Sequence, residues 1–170
     1  MNFAPKVGPL VAEILSGFAV LLLGYFAISR GDNIPLTLHD TPAAAISIFA
    51  LLAWLLGTFF DVLRNLLEHI LDCFSKINWE FFFEGSPEKI ANLEHYFFSF
   101  YMLDADMTIG LVAFFALGRS VVTDILGAKW SLPSTVYILI PIVAAVFALD
   151  AICLRFEIKN CIDDEKKIRQ

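Results

Sequence analysis

The sequence predicts an all-α, polytopic integral membrane protein: four transmembrane helices with a cytosolic helical hairpin between spans two and three. Three observations carry this. Apolar residues make up 58% of the 170 and charged residues 18%, too little charge to clothe a soluble domain. Mean hydropathy is correspondingly high, at +0.72. Four stretches, 10–29, 42–60, one within 96–126 and 134–154, each approach the roughly 20 apolar residues that cross a bilayer. Spans are accordingly drawn at about 10–29, 42–63, 104–126 and 134–154 of a single membrane domain.

The first stretch follows Lys6, carries Glu13 inside it and is followed by no A-x-A-like site, so it reads as a retained span and not a cleaved signal peptide. A short loop, "RGDNIPLTLHDT", punctuated by Gly31 and Pro35, leads to the second span. No charge occurs from Pro42 to Thr58, and then "FFDVLRNLLEHILD" begins at Phe59. Its polar residues Asp61, Arg64, Asn65, Glu68, His69 and Asp72 recur at helical spacing, with Leu63, Leu66, Leu67, Ile70 and Leu71 between them. One unbroken helix over 42–75 would be about 50 Å long, well beyond a hydrocarbon core of about 30 Å. Its last turns therefore stand outside the lipid.

A cover for those turns is expected from the hairpin at 64–103. "NWEFFFEG" makes an aromatic interfacial turn, with Trp79, Phe81, Phe82 and Phe83 as anchors. "SPEK" then starts a return helix: Ser86 suits the N-cap, Pro87 the first helical position, and Glu88 the positive end of the dipole. The third span has two frames. One runs 96–118 and encloses Asp104 and Asp106; the other runs 107–126 and leaves both at the cytosolic interface, which is the expected arrangement. The fourth span ends near residue 154, and the mixed-charge tail 159–170 is expected to be a solvated, fraying end.

Orientation follows from Lys and Arg. Lys6, Arg64, Lys76, Lys89, Arg155, Lys159, Lys166, Lys167 and Arg169 lie on the side of the termini, against Arg30, Arg119 and Lys129 on the other. Nine against three places both termini in the cytoplasm if the host is bacterial or its membrane obeys the same rule, and the expected location is a bacterial inner membrane. Cys73, Cys153 and Cys161 fall at or beyond the predicted cytosolic ends, where thiols stay reduced, and form no C-x-x-C pair. A net charge of −6 with no basic stripe argues against direct nucleic-acid binding.

Charges in spans are costly and by default point to function. Glu13, Asp61, Asp104, Asp106 and Asp150 all lie near the cytosolic ends of their spans, so antiparallel helices bring them to one acidic rim. Arg64 is the counter-charge at i+3 to Asp61 and i−4 to Glu68. Helix-end charges reaching for headgroups would explain the rim without any function. Glu68-His69 and Glu94-His95 suggest metal ligands, but adjacent helical residues point about 100° apart, whereas di-iron bundles use Glu-x-x-His. No metal or cofactor is expected. H-E-x-x-H, G-x-S-x-G, P-loop and G-x-G-x-x-G signatures are absent from the sequence, and no catalytic residue is assigned. Ala53 with Gly57, and Ala144 with Ala148, are small-xxx-small pairs that permit close helix packing, within one subunit or between copies.

Three resemblances bear on function. Arg64-Asn-Leu-Leu-Glu-His69 is similar to the R-x4-H pattern of HEPN ribonucleases, which would imply RNA cleavage. Four short spans with Glu13 in the first resemble the small multidrug-resistance exporters, where such a carboxylate exchanges protons for a cationic drug. In size, span count and cytosolic helical platform the whole chain resembles the four-span membrane subunits of bacterial anti-phage systems, in particular the Kiwa membrane component. That resemblance implies an oligomer in the inner membrane presenting cytosolic helices to a soluble partner.

The expected function is a non-enzymatic homo-oligomer that recruits or regulates a soluble cytosolic protein, as membrane sensor or scaffold of a defence system. Arg64, Glu68, His69, Asp72 and Glu94 would make the contact. The alternatives are a cation-permeable pore or transporter formed by several copies, since four helices alone are too slim to enclose a pathway, and a membrane enzyme using the same carboxylates at headgroup level.

Overall fold

The computed structural model describes residues 7–32, 43–75 and 99–169. These form four helices: α1 (Val7–Asp32), α2 (Ala43–Ser75), α3 (Ser99–Ser120) and α4 (Ser134–Arg169). Each contains a stretch long and apolar enough to cross a membrane: Leu10–Arg30, Ala45–Leu71, Phe100–Ile125 and Ser134–Asp163. The chain is an all-helical, multi-pass membrane protein. The expected return helix, with Glu94 and the Trp79 and Phe81–Phe83 anchors, lies outside the described residues.

α3 is the hub, packing on α1, α2 and α4, while α1 also packs on α2. Two glycines explain how closely α1 and α2 meet. A Cβ on Gly17 would stand 1.8 Å from the Ala53 carbonyl oxygen, and one on Gly57 would stand 1.7 Å from that of Glu13. No side chain fits there, so the backbones touch. Ala53 and Gly57 thus face a helix of their own subunit. One turn further along α2, the buried Phe60 ring lies over Gly110 of α3, where any Cβ would be 2.7 Å from the ring. Three helices are locked by three glycines, as expected where lipid removes the hydrophobic drive and close packing must hold helices together.

The second packing layer lies between α3 and α4. Leu111, Phe114, Ile140 and Ala144 form a buried cluster, with Val20 and Leu23 of α1 and Phe147 packed against it. Elsewhere the helices expose their apolar faces, including Ile48, Leu55, Leu117 and Ile138, each more than half exposed. In a bilayer those faces meet acyl chains. Pro141 interrupts α4 by removing the bond to the Tyr137 carbonyl, a loss that spanning helices tolerate.

Two details, the end of α3 and the end of α4, were not read from the sequence. α3 widens at its C-terminal end into a π-helical turn, Val121–Ile125, closed by Leu126 N–H donating to the Val121 carbonyl and Ala128 N–H to that of Val122. Gly127 follows at φ 65, a left-handed conformation costly for any other residue, and Ser131 N–H then ties the connection to the Ala27 carbonyl. Of the two frames that the sequence offers for the third span, the apolar stretch of the described helix, Phe100–Ile125, takes in Asp104 and Asp106. Their side chains are buried between helices, so they do not reach for headgroups. Finally, α4 continues as helix to Arg169, where a fraying tail was expected from 159. Ile158 and Ile162, 2% and 4% exposed, carry the buried face of α4 past residue 154, where the sequence reading ended the fourth span.

Candidate functional site

α2 delivers Asp61, Arg64 and Glu68 to one side because residues three and four apart share a helix face. Arg64 is only 5% exposed. Its Nη2 pairs with Asp61, its Nε lies 3.2 Å from Glu68 Oε1, and its Nη1 donates to Asp106 Oδ1 and Oδ2 of α3 at 3.3 and 3.4 Å. The Nε contact with Glu68 is a charge contact without hydrogen-bond alignment. Asn65 Nδ2 donates to the second Asp61 oxygen at 3.1 Å, holding that carboxylate toward the arginine. One guanidinium therefore faces three carboxylates, a formal sum of −2.

The members differ in burial. The Asp106 side chain is fully buried, while those of Asp61 and Glu68 are 19% and 25% exposed. Among the described residues Arg64 is the one cation paired with Asp106. Arg64 by contrast has two further partners.

The network extends on both sides. Glu13 of α1 accepts from Thr58 Oγ1 at 3.4 Å, but the same hydroxyl meets the Trp54 carbonyl at 2.9 Å. A hydroxyl has one proton to donate, so the shorter backbone bond holds it and Glu13 stays at the margin. Toward α4, Tyr101 is buried and faces Glu68, and its hydroxyl accepts from Arg155 Nη1 at 3.0 Å. Asp104 and Asp150 face each other across α3 and α4.

Helical rise fixes the level of this layer. Asp61 lies about 27 Å from Ala43, Asp106 about 28 Å from Ile125 and Glu13 about 26 Å from Arg30. In a core of about 30 Å the charges sit at one boundary, the end at which α1 begins and α4 ends. From there α2 runs about 21 Å further to Ser75, and α4 runs about 28 Å beyond Asp150 to Arg169.

The five rim carboxylates expected from the sequence are thus at one level, though only Asp61 and Asp106 share the arginine. The residues expected to meet a partner are not all outward. Arg64 points into the bundle, Glu68 is half-buried, and His69 is exposed. Asp72 lies on the last turn of α2, and Glu94 is outside the described residues. Ala144 packs against α3, whereas Ala148 lines a cleft beside the network. Sequence reasoning missed Tyr101 and Arg155; their one signal was an arginine just past the apolar run of α4. Among the described residues no three His, Cys, Asp or Glu side chains are placed to hold a metal ion. The chain matches no protein-family model, no curated protein and no solved structure.

Proposed function

We propose that this chain is a non-enzymatic, homo-oligomeric protein of the bacterial inner membrane, with cytoplasmic termini, that holds a soluble cytosolic partner at the membrane. One observation supports the reading above others: α2 and α4 both overrun the hydrocarbon core by 20 Å or so at the same end. A helix needed only for anchoring would stop at the interface. On the α2 overhang Leu66, His69 and Ile70 are exposed. The contact surface is centred there and not on Arg64, whose charge is consumed inside the bundle. The similarity of layout to Kiwa membrane subunits makes a soluble defence protein from the same genomic neighbourhood the first partner to try.

The test is photo-crosslinking in native membranes from an unnatural residue at Ile70, with Ile48 in the lipid-facing part of α2 as control. A discrete soluble protein joined at Ile70 and absent at Ile48 is the expected result. Adducts at Ile70 made only with lipid or with other copies of the chain would overturn the proposal.

The convergence of Glu13, Asp61, Asp104 and Asp106 on one level supports a second reading, a cation pathway through several copies. Current in planar bilayers that falls on Asp61→Asn would support it; a silent bilayer with the purified oligomer would end it.

A further inference from the structure

α2 and α4 both pack on α3 but not closely on each other, and a cleft of about 160 Å³ lies between the three beside the charge network. A chain of polar side chains bridges it. Arg155 Nη1 of α4 donates to the Tyr101 hydroxyl of α3 at 3.0 Å. That hydroxyl has one hydrogen of its own to give, and it faces the Glu68 carboxylate of α2, which can only accept. Glu68 in turn lies 3.2 Å from Arg64, and Arg64 lies 3.3 Å from Asp106. Donor and acceptor thus alternate from Arg155 through Tyr101, Glu68 and Arg64 to Asp106.

The links are unequal. Asp106 and Arg64 are buried, and Arg155 has a further contact of its own. Glu68 is 25% exposed and stands at the edge. Its departure would leave Arg64 with Asp61 and Asp106, one cation against two carboxylates, a formal −1 in place of −2. Glu68 is therefore the member that leaves at least cost, and the polar connection from α4 to α2 leaves with it. Close packing anchors α2 at Gly57 and Phe60. Past them Leu66, Leu67, Ile70 and Leu71 are exposed, so over the last 22 Å or so of α2 apolar packing gives way to the polar chain.

We propose that the Tyr101 hydroxyl and Glu68 form a releasable latch that holds the projecting part of α2 toward α4. Latched, the two overhangs stand close; with Glu68 released, they stand further apart. The latch belongs to the bundle itself and does not depend on what α2 binds.

The experiment is pulsed electron spin resonance on the full chain in lipid nanodiscs, with native cysteines replaced and spin labels on Ile70→Cys and Asn160→Cys. An excess of unlabelled chains restricts the reading to distances within one chain. The otherwise wild-type protein is expected to give one main distance. Tyr101→Phe keeps the ring, and with it the Arg155 guanidinium 5.9 Å from the ring centre, and removes only the hydroxyl. It is expected to raise the weight of a longer distance about tenfold or more, the shift that loss of a hydrogen bond to a charged group produces. Glu68→Ala breaks the latch from the other side, and the double variant is expected to go no further than either single one. Labels on Ile48→Cys and Ile138→Cys, toward the opposite ends of the same helices, are expected to give the same distance in every variant. An unchanged Ile70–Asn160 distribution in Tyr101→Phe would overturn the proposal, as would a double variant that adds the two effects. Should Tyr101→Phe also disturb the Ile48–Ile138 distance, Glu68→Ala carries the same expectation and the same refutation.

Discussion

The Arg64 network makes a prediction about asymmetry that can be worked from its geometry. Arg64 and Asp106 approach to 3.3 Å. At an effective dielectric near 20 their attraction is about 5 kcal/mol, before the cost of removing both from water. The two ends of the pair are not equivalent. Asp106→Asn leaves Arg64 with Asp61 and Glu68, and the amide oxygen still accepts from Nη1. That substitution should cost about 1–2 kcal/mol, the value of one charged hydrogen bond reduced to a neutral one. Arg64→Met leaves Asp106 wholly buried, beside Asp61 and Glu68 with no cation between them. Breaking a buried pair in this way costs about 3–5 kcal/mol. Protonating the abandoned carboxyl costs about 4 kcal/mol at pH 7 for an aspartate of ordinary acidity, in the middle of that range. Arg64→Met with Asp106→Leu removes the orphan and should recover a large part of the loss, because an apolar pair replaces an ionic one at little net cost. Reversible SDS unfolding of the purified protein, followed by circular dichroism, gives all three free energies. The reasoning is refuted if Asp106→Asn costs as much as Arg64→Met, or if the double variant equals the sum of its parts.

Further outcomes follow from the same structure. Gly57→Ala should disperse or misfold the protein, since its Cβ would stand 1.7 Å from the Glu13 oxygen and must push α1 aside, at or above the upper end of the roughly 1–3 kcal/mol that overpacking costs. Gly24→Ala, which meets only a ring edge at 3.9 Å, should leave size-exclusion behaviour unchanged. Gly127→Ala should cost about 1 kcal/mol by forcing a Cβ into the left-handed conformation at φ 65, visible as a lower midpoint in the same SDS titration. With native cysteines removed, Lys129→Cys should react with an impermeant maleimide in intact cells. The exposed Cys161, restored alone, should react only after permeabilisation. The reverse pattern would invert the topology drawn from Lys and Arg.

Much of the fold was legible because bilayer and helix impose simple lengths. Four apolar runs give four helices, and the helical spacing of Asp61, Arg64, Glu68 and Asp72 correctly extends α2 to Ser75. The same spacing gives the local half of the network, Asp61 and Glu68 around Arg64. The other half, Asp106, lies 42 residues away on α3, and no periodicity links the two. Hydropathy treats every aspartate in an apolar run as an intruder to be moved to the edge, and that is why the sequence reading favours the later frame for the third span. A carboxylate can remain inside when a cation meets it there, but that cation belongs to a helix whose rotation depends on packing. Here the rotation is set by glycines. Gly17 and Gly57 fix α1 on α2, and Gly110 seats Phe60, which stands one turn before Arg64 on the same face of α2. Gly57, read from the sequence only as half of a packing pair with Ala53, thus joins Gly17 and Gly110 in aiming the arginine at α3. Replacing them should disturb the Arg64–Asp106 pair even though none of them touches either side chain.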